Sequence, residues 1–284
     1  MTPILSLRTA LRRGTAEHYD DPRLYDHEYK RRRADVRFYK KYCREHFEDH
    51  GHGRLEDHGR NAAAPILELG CGTGRITTPL RNQGHAVVGL DLSQAMVGRC
   101  AERFAWAGRR LRGPGLLVRG DMRRLPLRGP FALVLCPFNA FMHLYLPRDI
   151  AACLDEIRRV LDPRTGRFVF DVQNPDLRWL LRDPKKRWAR TKFKHPVTGR
   201  AMVYSTNHTY DAKRQIAHVK LYYDCPEDPA LSRTVSLAHR QFFPQELRLL
   251  LDVHGFTPES EFGDFDGRPF EATSENQILV CRLS

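Results

Sequence analysis

No part of this 284-residue chain is apolar over anything like the roughly 18 residues needed to cross a bilayer, which excludes a helical membrane span. The seven cysteines, at positions 43, 71, 100, 136, 153, 225 and 281, are odd in number and form no C-x-x-C pair. That argues against a disulfide framework or a structural zinc site, and for a reducing, cytoplasmic location. Internal repeats, low-complexity tracts and long blocks of one charge are also absent. Lysine and arginine total 47 against 34 acidic residues, a net charge of +13, but they come in short runs such as Lys30 to Arg33 and Lys185 to Arg187. Such an excess admits nucleic acid as a partner, yet scattered runs fit a solvated surface better than a binding tail. The first sixteen residues hold three arginines and no acid, with too short an apolar stretch for a secretory signal, so a frayed N-terminus is expected.

With 41% hydrophobic residues, the chain has the composition of a globular protein able to bury a core unaided. Tyrosines and arginines from Glu17 to Glu48, with apolar residues near helical spacing, predict one or two helices. A polar connector follows at Gly51 to Ala64. Short apolar runs then alternate with longer amphipathic ones. Strands are expected at Pro65–Leu69, Ala86–Leu90, Gly115–Arg119, Phe131–Cys136 and Gly166–Val172, and helices at Ile76–Gln83, Ser93–Gly108 and Asp149–Leu161. This is the rhythm of an α/β fold with a parallel sheet. From Ala201 to Phe243 the pattern changes to three antiparallel strands with turns near Asp211 and Pro226, which reads as an insertion. A helix at Gln245–His254, stopped by Gly255, and strands at Pro258–Phe262 and Gln277–Arg282 complete the expected set. The implied blocks are an N-terminal cap (1–60), a ligand-binding core (61–184), the insertion (185–243) and a C-terminal return to the sheet (244–284).

The segment ILELGCGTGRITTPL, from Ile66 to Leu80, places Gly70, Gly72 and Gly74 between a strand and a helix. Alternate glycines let a ligand lie against bare backbone, and this bend is where doubly wound sheets bind nucleotide-like molecules. Arg75 stands where a dinucleotide fingerprint needs glycine or alanine, and the G-K-S/T of a phosphate loop is missing, so both of those readings are demoted. Seventeen residues after Gly74, Asp91 ends the second strand, where an acid can accept hydrogen bonds from ribose hydroxyls. Asp121 and Met122 follow the third strand, in RGDMRRLP.

Glu68, Gly70, Gly72 and Gly74 match E-x-G-x-G-x-G, and the segment resembles the first motif of class I S-adenosylmethionine-dependent methyltransferases. The resemblance implies a Rossmann-like sheet of seven mostly parallel strands with helices on both faces, a helical N-terminal lid and an antiparallel insertion after the fifth strand. It implies S-adenosylmethionine as cofactor, released as S-adenosylhomocysteine, with Glu68, Gly70, Cys71, Gly72, Gly74, Asp91, Leu92, Met96, Asp121, Met122 and Pro137 around it. Together with LYDHEYKRRRADVRFY, PFNAFMHL, HRQFF and GDFDGRPF, the motifs resemble the small-molecule branch, which includes sugar-amine and glycine-type N-methyltransferases. Neither the N/D-P-P-Y/F of enzymes acting on exocyclic base amines nor the P-C pair of cytosine C5 enzymes follows the fourth strand. Cys136 and Pro137 stand in the reverse order, and Ala132 replaces the acid that many relatives carry.

His143 is the candidate base, needed only where the acceptor arrives protonated. Tyr25 and Tyr29, with Arg33 one turn further on, are candidates to close over the sulfonium and pair with the donor's carboxylate; Tyr25 is also a catalytic candidate. Phe138, Asn139, Tyr204, Asn207, Tyr210, His239 and Arg240 are acceptor-side candidates, the last five expected to face one cavity together with Phe242. Asp171, Asn174 and Asp176 loosely recapitulate a metal-ligand pattern, but its partner acid is missing at the fourth strand, so no metal is expected. The expected function is methyl transfer to a small molecule, at nitrogen before oxygen, by a monomer or homodimer without a membrane partner. The rivals are a methyltransferase acting on RNA or protein and a regulator that binds the cofactor without catalysis.

Overall fold

The computed structural model describes residues 7–49 and 65–284. The connector expected at Gly51 to Ala64 and the first six residues lie outside these. In chain order the helices are α1 (Leu7–Ala16), α2 (Pro22–Tyr29), α3 (Ala34–Asp49), α4 (Thr77–Asn82), α5 (Gln94–Ala107), α6 (Pro147–Val160), α7 (Leu177–Leu180) and α8 (Pro244–Val253). The strands are β1 (Ile66–Leu69), β2 (Val87–Asp91), β3 (Gly115–Arg119), β4 (Leu133–Cys136), β5 (Arg167–Gln173), β6 (Trp188–Lys194), β7 (Ala201–Asp211), β8 (Ile216–Asp224), β9 (Arg233–Arg240), β10 (Phe256–Phe262) and β11 (Asn276–Leu283). The chain divides into two compact units, Arg31–Asn174 with Phe242–Ser284, and Met1–Lys30 with Pro175–Gln241.

The larger unit holds a seven-stranded sheet in the order β10-β11-β5-β4-β1-β2-β3, with only β10 and β11 antiparallel to their neighbours. This is the Rossmann-like sheet the motifs imply. Its central strands, ILEL in β1 and LVLC in β4, are buried at every position, as parallel strands covered on both faces must be. One face packs Leu67, Leu69, Val134, Phe168 and Phe170 beneath α6 and α8. The other packs Ile66, Leu133, Leu135 and Val169 beneath α3 and α4. Helix α6 takes its place because Ile150, Cys153, Leu154, Ile157 and Val160 form a single apolar stripe, with Pro147 pre-set for its first turn. Helix α8 ends as expected before Gly255, which has the left-handed φ of +77°.

Helix α3 corrects the sequence reading, which placed it in the N-terminal lid. Phe38, Tyr39, Cys43 and Phe47 are buried against the sheet, so α3 is a layer of the core. Nor does α2 continue through Arg33. It ends at Tyr29, before the four consecutive cations Lys30 to Arg33, and exposed Arg33 precedes α3 in the larger unit.

The smaller unit is built on a four-stranded antiparallel sheet, β6-β7-β8-β9. One more strand is present than the three expected, because β6, WARTKFK, is exposed along most of its length and shows no apolar alternation to read. Residues 7–16 are helical rather than frayed. Leu11 is buried, and a Cβ at Gly14 would meet Ala238 of β9 at 2.5 Å, so helix and strand approach closely there.

Candidate active site

Strand order reverses between β4 and β1, the first parallel strand being followed by neighbours on either side. Loops leaving the C-terminal ends of two such strands diverge and open a crevice, the general ligand position of open α/β sheets. The two loops here are Gly70 to Gly74 after β1 and Pro137 to His143 after β4.

Gly70, Gly72 and Gly74 all have positive φ (+69°, +54° and +78°), which side chains resist. Their surroundings differ. A Cβ at Gly70 would lie 2.8 Å from the Cβ of Ala140, and one at Gly74 would lie 2.4 Å from Cys100 Sγ. At Gly72 it would enter space bounded only by the Gly70 carbonyl at 4.0 Å. The outer glycines are fixed by packing, while the middle one presents bare backbone to open space. Cys71 is buried under the loop, its N–H donating to the Leu90 carbonyl at 3.0 Å.

Asp91 ties the loop to β2. Its Oδ2 accepts the Gly72 N–H at 2.8 Å, and its Oδ1 accepts the Ser93 N–H at 2.8 Å. Each oxygen keeps a second lone pair, enough for a pair of ribose hydroxyls. Burial raises its pKa, opposed by those backbone donors. Beyond it Leu92 is 53% exposed, and Met96 is buried in the first turn of α5, which Ser93 caps.

The other carboxylates are committed elsewhere. Glu68 is buried below the loop and accepts the hydroxyl of Thr77, which braces β1 against α4; burial pushes its pKa up to about 8. Asp121 accepts from Arg123 Nε at 2.9 Å and Nη2 at 2.6 Å, which holds its pKa down, and Met122 packs into the core beside it. The guanidinium fork therefore occupies the edge of Asp121 expected to meet adenine.

In the second loop Pro137 is buried, and Phe138 and Asn139 both adopt left-handed backbone, with φ of +59° and +62°. Asn139 Oδ1 is buried without a partner among the described residues. His143 closes a short 3-10 turn (Ala140–His143), its Nδ1 lying 3.2 Å from the Tyr145 hydroxyl.

Two residues on which this loop depends were not among the sequence candidates for the site. Asp171 of β5, considered there only as a metal ligand, accepts the N–H groups of Phe138 and Asn139 and the hydroxyl of Tyr39. Arg75 lies 4.4 Å from the Phe138 ring centroid and pairs with Asp35. Asn174 donates to the Ser274 carbonyl and Asp176 caps α7, so the acids and amide after β5 are separately employed. No group of three His, Cys, Asp or Glu among the described residues is arranged to hold a metal.

In the smaller unit Tyr25 and Tyr29 belong to an aromatic cluster with His18, their ring centroids 4.7 Å apart, and the Tyr29 hydroxyl is 3.1 Å from His18 Nε2. The sheet register divides the acceptor-side candidates. Tyr204 lies opposite Tyr223, Tyr210 opposite Ala217, and Ala217 opposite His239, which places Tyr204, Tyr210 and His239 on one face. Asn207 and Arg240 fall on the other, so the five do not face one cavity. Asn207 is held by the Pro184 carbonyl and the Tyr222 hydroxyl, and Arg240 donates to the Gln241 carbonyl.

An open-faced glycine loop, an acid ending the second strand and a seven-stranded sheet with one antiparallel hairpin define the class I methyltransferase architecture. Residues 66–164 match the model of a methyltransferase domain family. A glycine/sarcosine N-methyltransferase of Parasynechococcus marenigrum is 33% identical over 127 residues, 43% of this chain and 41% of that protein. A dTDP-3-amino-3,6-dideoxy-alpha-D-glucopyranose N,N-dimethyltransferase of Streptomyces fradiae is 32% identical over 93 residues, 33% of each. The chain spans less than half the length of several curated relatives it matches. Among solved structures, the CcbJ methyltransferase of Streptomyces caelestis superposes with a TM-score of 0.66 at 26% identity, over 78% of this chain and 84% of that one.

Proposed function

We propose that the protein transfers the methyl group of S-adenosylmethionine to a nitrogen of a small-molecule acceptor, releasing S-adenosylhomocysteine. The observation that carries this reading is the glycine loop open at Gly72 with Asp91 pinned beside it, at the reversal of strand order. The residues fit the donor: it has no phosphate to demand a longer cradle, and Asp91 keeps lone pairs for a ribose. When bound, the donor supplies an electrophilic methyl whose bond to sulfur breaks as the acceptor's lone pair forms the new one.

The chain's own contribution is placement, with the nucleophile held about 3 Å from the methyl carbon in a dry, aligned pocket. Gly70 to Gly74 and Asp91 orient the donor. Asn139 Oδ1, a buried acceptor without a partner among the described residues, is suited to take an N–H of the incoming amine. His143, oriented by Tyr145, takes a proton from an amine that arrives charged. Nitrogen is favoured over oxygen because the two curated relatives described above are named for N-methylation.

Calorimetry on the full chain with S-adenosylhomocysteine, followed by transfer of labelled methyl to glycine, sarcosine and a nucleotide-linked amino sugar, tests the reading. Uptake of the by-product with a methylated amine is the expected result. No uptake, together with tight binding of a nicotinamide dinucleotide, would sink it. The net charge of +13 favours a second reading, a macromolecular acceptor, and strong salt-sensitive binding of RNA would support that instead.

A further inference from the structure

The Phe138–Asn139 turn is backbone that ought not to persist alone. Two successive non-glycine residues in the left-handed region are strained and hold only where their surroundings over-determine them. A single carboxylate does this. Asp171 Oδ1 accepts the Phe138 N–H at 2.8 Å, and Oδ2 accepts the Asn139 N–H at 3.0 Å. From α3 the Tyr39 hydroxyl donates to Oδ1 at 2.7 Å. Both side chains are buried, 1% exposed for Asp171 and 0% for Tyr39. On the other side of the turn the Arg75 guanidinium covers the Phe138 ring, itself held by Asp35 and by the Arg32 carbonyl at 2.8 Å. The next residue, Ala140, abuts Gly70, where an added Cβ would lie 2.8 Å from the Ala140 Cβ. The conformation of one loop thereby bears directly on the other.

We propose that Asp171, backed by Tyr39, is a positioning residue: it locks the Phe138–Asn139 turn and, through Ala140, sets the shape of the glycine loop that takes the methyl donor. The proposal rests on the reading of that loop as the donor site. No part of Asp171 needs to touch the donor.

The geometry also carries a pH dependence. Burial pushes the Asp171 carboxyl up to about 6, opposed by its hydrogen bonds from Tyr39, Phe138 and Asn139. The titratable groups facing it are Tyr39 and Asp35 from α3 and Cys136 from β4; burial raises both Tyr39 and Cys136 far from this range, and Asp35 is paired with Arg75. Protonation of Asp171 turns an acceptor of three hydrogen bonds into a group that must also place a donor.

The test is calorimetric titration of the full chain with S-adenosylhomocysteine from pH 5 to 8, for the wild type, Asp171→Asn, Tyr39→Phe and the core control Leu251→Ala on α8. Asp171→Asn puts an NH2 against a backbone N–H and is expected to weaken binding about tenfold at pH 7.5; Tyr39→Phe, which removes one oxygen, about threefold. Wild-type affinity is expected to fall below about pH 6 and that of Asp171→Asn to stay level, while Leu251→Ala loses stability and keeps its affinity. Wild-type affinity and pH profile in a folded Asp171→Asn would overturn the proposal, and if that variant does not fold, Tyr39→Phe carries the same test. Should the wild type bind no S-adenosylhomocysteine, the donor-site reading fails. Amide exchange at Phe138 and Asn139 then decides the lock by itself, which is lost if Asp171→Asn leaves their protection unchanged.

Discussion

Gly72 and Gly74 sit two residues apart with similar backbone angles and should fail in different ways. At Gly74 a methyl group would strike Cys100 Sγ, an overpacking that costs about 1–3 kcal/mol, so Gly74→Ala is expected to lower the denaturant midpoint. At Gly72 the methyl group points into open space and costs only the left-handed strain of about 1–2 kcal/mol. Gly72→Val should leave a folded protein whose affinity for S-adenosylhomocysteine drops more than tenfold, since the side chain occupies the donor's place. Equal affinity in calorimetry would show that nothing lies against that backbone. At this scale Asp91 was legible in the sequence because its position follows from strand, loop, helix and strand in succession. Asp171 was not: its partners Tyr39 and Phe138 are 132 and 33 residues away.

Among the elements, the helices covering the sheet are read most readily where a stripe of apolar residues recurs. Helix α8 buries Leu247 and Leu251, the latter fully, against the face carrying Phe168 and Leu279. Leu251→Ala should cost about 2–5 kcal/mol by chemical denaturation, the usual range for emptying such a site. A smaller loss would mean that the neighbours close over the gap. Strand β6 marks the limit of such reading, because an exposed strand carries no alternation and is specified by pairing with β7. Helix α3 marks another. Its tyrosines and phenylalanines announce a helix, but whether they cover a ligand or a sheet depends on what lies beneath them.

For the whole molecule, buried ionisable groups set opposing responses to pH. Glu68, raised from 4.5 to about 8, binds its proton more tightly folded than unfolded, so its contribution to stability is full below pH 4.5 and is lost as pH rises toward 8. Between pH 5 and 8 the wild type should therefore lose more thermal stability than Glu68→Gln, which keeps a partner for the Thr77 hydroxyl. An equally steep fall in the variant would place the cause elsewhere. His18 has the opposite sign. Burial lowers it from 6.5 to about 4, so the unfolded chain takes up its proton first and stability is lost as pH falls through that window. His18→Gln should lose less stability than the wild type between pH 6.5 and 4, measured by circular dichroism.

The sequence by itself determined the parallel sheet, the glycine bend after its first strand and the acid closing its second. Each of these is written within a few consecutive residues, by apolar runs, by glycines where φ is positive and by fixed spacing. Tertiary structure alone decided that Tyr204, Tyr210 and His239 share a face without Asn207 and Arg240, that Arg123 engages Asp121, and that Asp171 holds the turn after β4. Register, burial and the pairing of distant charges arise only when separated segments pack together, and no local pattern encodes them.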